Sequence, residues 1–240
     1  MDKPFLSIVI PAYNEEKRIA ETLRKVHAFL HRSHYEYEVV LVSDGSTDKT
    51  VEVIKETTSM WQNFRLIVNK ENNGKGYVVR QGMLEAKGEW RLFMDADGAT
   101  PIEMIERMIK QIDRFQVIIG SRYIEKGLIQ EKQPFFRQFV SRAGNLFIQA
   151  MILPGIKDTQ CGFKMFSKKA TEEIFPLQRF ERWSFDMELL TIAKKKGYKI
   201  VEVPVIWHDV AGSKVKAGAT LRSLKDVFVI KWNSISGKYN

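Results

Sequence analysis

Short β-branched runs alternate with longer amphipathic stretches through the first half of the chain, and this alternation restricts the fold more than any other feature. "FLSIVI" (Phe5 to Ile10) predicts a first strand, and residues 15–30 a helix with Ile19, Leu23, Val26 and Leu30 on one face. "EVVLVS" predicts a second strand and "FRLIVN" a third. Helix two starts at an N-cap at Ser46 or Thr47, and helix three spans residues 76–86. "EWRLFMD" is a fourth strand, a helix entered at Pro101 ends near Gln111, and "FQVIIGS" is a fifth strand. Strand, helix, strand in this rhythm is the signature of a mostly parallel sheet flanked by helices, an α/β fold.

After about residue 122 the pattern changes. Residues 130–156 are aromatic and basic with helical spacing, and "DTQCGFKMFS" reads as a bent strand or loop. "RWSFDMELLTIAKKKG" is a helix, "YKIVEVPVIW" an edge strand marked by Pro204, and Leu221 to Trp232 is again amphipathic. No linker separates the halves. The 240 residues are read as one domain, with residues 1–122 and 123–240 as its two halves.

Composition narrows the function. The single cysteine, Cys161, rules out an internal disulfide or a cysteine-rich metal module and fits a reducing, cytoplasmic setting. A formal net charge of +9 favours phosphorylated or polyanionic partners. The positive charge is scattered rather than gathered on one aromatic-lined face, which argues against a nucleic-acid binder. The longest stretch without a charge, residues 143–156, is shorter than the roughly 20 apolar residues of a membrane span. Membrane contact is therefore expected to be peripheral, with a membrane-protein partner left open as the source of any anchor.

In open α/β sheets ligands bind at the carboxyl ends of the strands. Five such ends here carry polar, glycine-rich loops: "PAYNEE", "SDGSTDKT", "NKENNGKGY", "DADGAT" and "GSR". Asp95 and Asp97 suit a turn or a helix N-terminus, but their i, i+2 spacing also directs two hard oxygen ligands one way, as Mg²⁺ or Mn²⁺ on a diphosphate requires. In "DGSTDKT" the turn and cap account for Gly45, Ser46 and Thr47 and leave Asp44 to accept hydrogen bonds from a base or ribose. "NNGKGY", with Lys75 at its centre, resembles a phosphate-binding glycine loop but lacks the Walker spacing, so a P-loop NTPase is excluded.

Taken together, "SIVIPAYNEE", "VSDGSTDKT", "NNGKGYVVRQG", "DADGATP", "GSR", "DTQCGFKMF", "ERWSFDMELL" and "VIWHDVAGSKV" resemble the polyprenyl- or dolichyl-phosphate β-glucosyltransferases of glycosyltransferase family 2. The resemblance runs from about residue 6 to 214. It implies a Rossmann-like GT-A fold with C-terminal acceptor-binding helices, whose first half binds a nucleotide-sugar donor and whose second half faces acceptor and membrane. Pro11, Tyr13 and Glu15 would meet the nucleoside and Asp44 the base or ribose. Lys75, Asp95, Ala96 and Asp97 would hold the donor, with Asp95 and Asp97 as ligands of Mg²⁺ or Mn²⁺. Lys214 would close over the diphosphate. Where mannose-transferring relatives often carry Gln and Arg, this chain has Ala99 and His208.

The implied reaction is inverting transfer of glucose from UDP-glucose to a polyprenyl phosphate; mannosyl transfer from GDP-mannose and polysaccharide synthesis are the alternatives. A phosphate acceptor with a second pKa of about 6 is already anionic near neutral pH and needs no general base. Catalysis then rests on placing that oxygen and stabilising the departing diphosphate. Arg122, Arg137, Ser141 and Lys164 would grip the acceptor phosphate, with Arg137, Ser141 and Asn145 on one helix face. Asp97, Arg122, Asp186 and Lys214 form the implied catalytic set. Asp186 lies where relatives with hydroxyl acceptors place a base, and here it is read as orienting a Lys or Arg. Gln160 would line the sugar pocket. Residues 133–156, with Phe135, Phe136, Phe139 and Phe147 among arginines, would in part pack in the core and in part meet the cytosolic face of a membrane, helped by basic residues from 214 to 225.

Overall fold

The computed structural model describes residues 4–125, 144–208 and 218–240. Seven strands form one sheet: β1 Leu6–Ala12, β2 Tyr37–Asp44, β3 Phe64–Asn69, β4 Trp90–Met94, β5 Val117–Ser121, β6 Phe163–Ser167 and β7 Ile200–Pro204. Their order is β3-β2-β1-β4-β6-β5-β7. All pairings are parallel except those of β6, which runs antiparallel to both β4 and β5. Strands β1 to β5 and β7 therefore point their carboxyl ends at one rim, and the start of β6 reaches the same rim from the opposite direction.

Helices cover both faces, as an all-buried parallel sheet demands. They are α1 Ile19–Arg32, α2 Thr50–Thr58, α3 Lys75–Glu85, α4 Ile105–Ile109, α5 (described over 144–151), α6 Lys168–Ile174, α7 Phe185–Lys195 and α8 Gly218–Ile235. Strand periodicity sorts the core into two layers. Ile8, Ile10, Leu41, Leu92 and Met94 pack with Leu23 and Val26 of α1 on one face. Val9, Val40, Phe93 and Phe166 pack with α3, α6 and α7 on the other, where Val227, Ile230 and Tyr239 join from the C-terminal segment.

Several boundaries move from the sequence reading for identifiable reasons. α1 starts at Ile19 because the backbone of Glu15 and Glu16 is bonded across to Thr50 and Asp48. α2 is preceded by Lys49, not capped by Ser46 or Thr47. Those two residues instead face Asn14: the Asn14 N–H donates to Ser46 Oγ, and the Thr47 N–H to Asn14 Oδ1. The helix after Pro101 is a 3₁₀ turn, Ile102–Met104, followed by five α residues. Of the bent strand or loop expected at 158–167, the structure forms a strand, β6, paired on both sides. In the segment read as both core and membrane surface, Ile148 and Leu153 are buried and Phe147, Met151 and Ile152 pack against the core, while Leu146 is exposed.

Candidate active site

Three of the rim loops converge on the carboxylates after β4. Asp95 and Asp97 lie in the turn that ends this strand, and the Asp95 N–H donates to Gly162 O at 3.1 Å, stitching the turn to the entry of β6. Gly162 is required there: a Cβ would fall 2.1 Å from Asp95 Oδ2. Lys75, first residue of α3, brings its ammonium to 2.5 Å from Asp95 Oδ1. Burial pulls the Lys75 pKa down, but the charges of Asp95, Asp186 and Asp97 more than offset this and hold it above its ordinary value.

Asp97 accepts the Ala99 N–H on Oδ1 at 3.0 Å, so the turn reading of this residue is correct as far as it goes. Its other oxygen has no hydrogen-bond partner among the described residues. Burial, then repulsion from Asp95, raises the Asp97 carboxyl above the ordinary carboxylate value. Two hard-oxygen donors that repel each other fit a divalent cation, whose charge would remove the conflict.

The glycines at the start of α3 are closely packed by protein. A Cβ on Gly74 would sit 2.4 Å from Glu181 O, and one on Gly76 2.5 Å from Phe180 O. The 178–184 segment packs directly onto this loop, and the Tyr77 N–H donates to Glu181 O. Trp183 lies with its ring centroid 5.5 Å from the Lys75 ammonium. From the other side Asp44 clamps the loop, its carboxylate oxygens accepting the N–H groups of Asn73 and Gly74 at 2.8 and 2.9 Å. Asp44 is 2% exposed and accepts one bond from this loop at each oxygen, an engagement the sequence did not reveal.

Two further expectations change. The sequence puts Lys164 at the wall of the sugar or phosphate pocket, but its side chain is wholly buried in β6 and donates to Asp186 Oδ1 at 2.5 Å and Cys161 O at 2.6 Å. Burial raises the Asp186 pKa and Lys164, then Lys75, oppose it. Arg122 reaches the rim, but as one half of a bidentate pair, with Nε and Nη2 at 2.7 and 2.9 Å from Asp158. Burial works against the charges of both partners, and their mutual attraction prevails, lowering the Asp158 pKa and raising that of Arg122. The guanidinium sits 5.5 Å from the rings of both Tyr123 and Trp207.

Among the other residues singled out from sequence, Pro11 and Ala96 are buried at the rim, Tyr13 is partly exposed, and Glu15 pairs with Arg18 at 2.6 Å. Gln160 is exposed, and the His208 N–H donates to Ala99 O, tying β7's exit to the aspartate turn. Cys161 is buried, with its thiol pushed up to about 12, so it is packed and unreactive. Arg137, Ser141, Lys214, Phe135, Phe136 and Phe139 lie outside the described residues. Sequence reading missed Asp158 and Glu188, whose partners are remote in the chain. Glu188 Oε2 accepts the N–H groups of Arg179 and Phe180, and its Oε1 accepts the Tyr239 hydroxyl at 2.7 Å. It thereby holds the segment that packs on Lys75's loop.

Comparison with known proteins agrees with this geometry. Residues 7–175 match the Glycosyl transferase family 2 model. The dolichyl-phosphate beta-glucosyltransferase of Saccharomyces cerevisiae is 36% identical, over 98% of this chain and 76% of that protein. The proteins of that name from Dictyostelium discoideum and Homo sapiens are each 34% identical, over 99% and 98% of this chain and 77% of theirs. Glucosyl-3-phosphoglycerate synthase from Mycobacterium tuberculosis, solved with Mn²⁺, UDP and its product, superposes with a TM-score of 0.70 at 16% identity, covering 96% of this chain and 80% of that one. The sheet order and its antiparallel β6 are those of a GT-A fold, and the chain belongs to glycosyl transferase family 2, as a glycosyltransferase whose curated relatives are dolichyl-phosphate beta-glucosyltransferases.

Proposed function

We propose that this enzyme transfers glucose from UDP-glucose to the phosphate of a dolichyl or other polyprenyl phosphate, with inversion, using Mg²⁺ or Mn²⁺. The observation that carries the reading is the meeting of Asp95, Asp97 and Lys75 at one point of the rim, supported by the names of relatives that share about a third of its residues across nearly its whole length.

Asp95 and Asp97 would hold the cation, with Asp97 offering the less encumbered oxygen. When bound, the cation neutralises charge on the departing diphosphate. Lys75 contributes a fixed positive charge beside it, held charged by three carboxylates. Pro11, Tyr13, Glu15 and Asp44 ring the nucleoside end, and Lys214 would close the phosphate end. Arg122, pre-set by Asp158, has no hydrogen-bond partner on Nη1 among the described residues and would meet the acceptor phosphate there, together with Arg137 and Ser141. The acceptor oxygen is already an anion, so Asp186 is assigned to holding Lys164 and not to proton transfer. Residues 1–122 serve the donor and 123–240 the acceptor, at the cytosolic face of a membrane.

The test is incubation of the purified protein with radiolabelled UDP-glucose or GDP-mannose and polyprenyl phosphate, with and without Mg²⁺, Mn²⁺ and chelator. The reading expects a chelator-sensitive, β-linked glucosyl lipid. Lipid product from GDP-mannose alone would replace the donor, and product formed equally in chelator would remove the metal.

A further inference from the structure

Helix α8 is apolar on two opposite sides. Val227 and Ile230 go into the core, while Phe228, Val229, Trp232 and Ile235 are 56, 46, 66 and 71% exposed and share the outer face by their i, i+1, i+4, i+7 spacing. The patch continues toward α5, where the Phe147 ring meets that of Phe228 at 5.7 Å and Leu146 is 68% exposed. Nothing about α8 suggests a face waiting to turn inward. Ser184 donates to Asp226 at 2.5 Å, and Tyr239 to Glu188, so the middle of the helix and the segment that follows it are pinned to α7 and its N-cap with the apolar side outward.

The border of the patch identifies its partner. From residue 225 to the end, Lys225, Lys231 and Lys238 stand against a single acid, Asp226, which is engaged with Ser184. Exposed Trp, Phe and Ile flanked by lysines match the headgroup boundary of an anionic bilayer: the rings and aliphatic groups enter the acyl edge, and the lysine heads remain among the phosphates. Among the described residues no helix is long and apolar enough to cross a membrane, so the contact lies along the surface.

We infer that the outer face of α8 docks the enzyme on an anionic lipid surface. The inference rests on the reading of a lipid-phosphate acceptor, since that substrate brings the enzyme to a bilayer. It also moves the main contact from residues 133–156, whose described part is mostly packed in the core apart from Leu146, to the C-terminal helix. The Asp226–Ser184 and Tyr239–Glu188 bonds join this helix to the segment packed on the loop of Lys75.

Sedimentation of the full chain with sucrose-loaded vesicles, of phosphatidylcholine alone or mixed with phosphatidylserine, tests it without donor or acceptor. The wild type is expected to favour the anionic vesicles. Trp232→Ser/Ile235→Ser should lower partitioning by more than about tenfold. Lys225→Glu/Lys231→Glu should lower it by at least about tenfold on anionic vesicles, since each lysine near the surface is worth about fivefold, and leave neutral vesicles unaffected. Transfer to a water-soluble, short-chain prenyl phosphate should be unchanged in both variants. Short-chain transfer without vesicle binding in the wild type overturns the docking inference and spares the acceptor reading; vesicle binding without transfer to any prenyl phosphate does the reverse. A wild-type dimer that Trp232→Ser/Ile235→Ser dissolves, with vesicle binding unchanged, would make this face a contact between copies and overturn the inference as well.

Discussion

Gly162→Ala separates the site's geometry from the fold's stability. The added Cβ would lie 2.1 Å from Asp95 Oδ2, 2.4 Å from its Cγ and 2.5 Å from Oδ1. Ordinary carbon contacts begin near 3.5 Å, so the carboxylate must retreat by more than about 1 Å. Gly162 is not among the residues with positive φ, so the backbone accepts alanine. The clashing group is the end of a side chain, and a twist at Asp95 that costs about 1 kcal/mol relieves it while the Asp95 N–H to Gly162 O bond persists. The twist, however, takes Asp95 away from Lys75 and alters its relation to Asp97. Misplacement of that size costs about 10²-fold in rate. Initial rates of glucosyl transfer, measured alongside thermal melts, should show kcat/KM down about 100-fold and Tm lower by no more than about 2–4 °C. Activity within about threefold of wild type would show that the Asp95 position is not critical, and a fall in Tm beyond about 10 °C would show that the contact is structural.

Asp97→Asn should stop transfer yet raise Tm at neutral pH. The Asp97 carboxyl sits above its ordinary value, so between the ordinary and the raised pKa the folded state keeps a proton that the unfolded chain has lost, and stability falls as pH rises through that window. Melts of the variant should lose their advantage below about pH 3.5, where both states are protonated; an advantage that persists there refutes the assignment. Lys164→Met strands the buried Asp186 charge and should cost about 3–5 kcal/mol in urea denaturation, most of it recovered in Lys164→Met/Asp186→Leu. A single-variant loss under about 1 kcal/mol would contradict the burial of the pair. Tyr239→Phe removes one bond to Glu188 and should cost about 1–2 kcal/mol; hydrogen exchange should quicken at Arg179 and Phe180, and unchanged exchange there would uncouple the C-terminus from this segment.

The rim was legible in the sequence because its signals are local. Aspartate and glycine at strand ends follow directly after β-branched runs, so "DGSTDKT" and "DADGAT" announce their places without knowledge of the partners. β6 was legible only as a bent strand or loop, since a lysine in the middle of "FKMFS" does not suit a buried strand. Its countercharge, Asp186, lies on another element 22 residues away. The same distance problem hid Asp158, which completes Arg122 from 36 residues downstream, and Glu188, whose hydroxyl partner is 51 residues on. The loop bonds of Asp44 were not legible either, because the backbone N–H groups of Asn73 and Gly74 are invisible to residue-type reasoning. Local turn chemistry reveals where a site opens; pairing across the sheet decides which charges there remain uncommitted.

That distinction determines what the rim can bind. Lys75 feels Asp95, Asp186 and Asp97, while Asp186 is itself answered by Lys164. Three carboxylates thus stand against two ammonium groups, an excess of one negative charge in a poorly solvated place. Arg122 does not redress it, because Asp158 cancels its charge at bidentate distance. A diphosphate approaching these described residues meets a repelling field. The same field would favour a divalent cation at the two carboxylates, which repel each other. Among the described residues the arrangement is therefore complementary to a cation, and this charge count is the ground for the metal dependence proposed above.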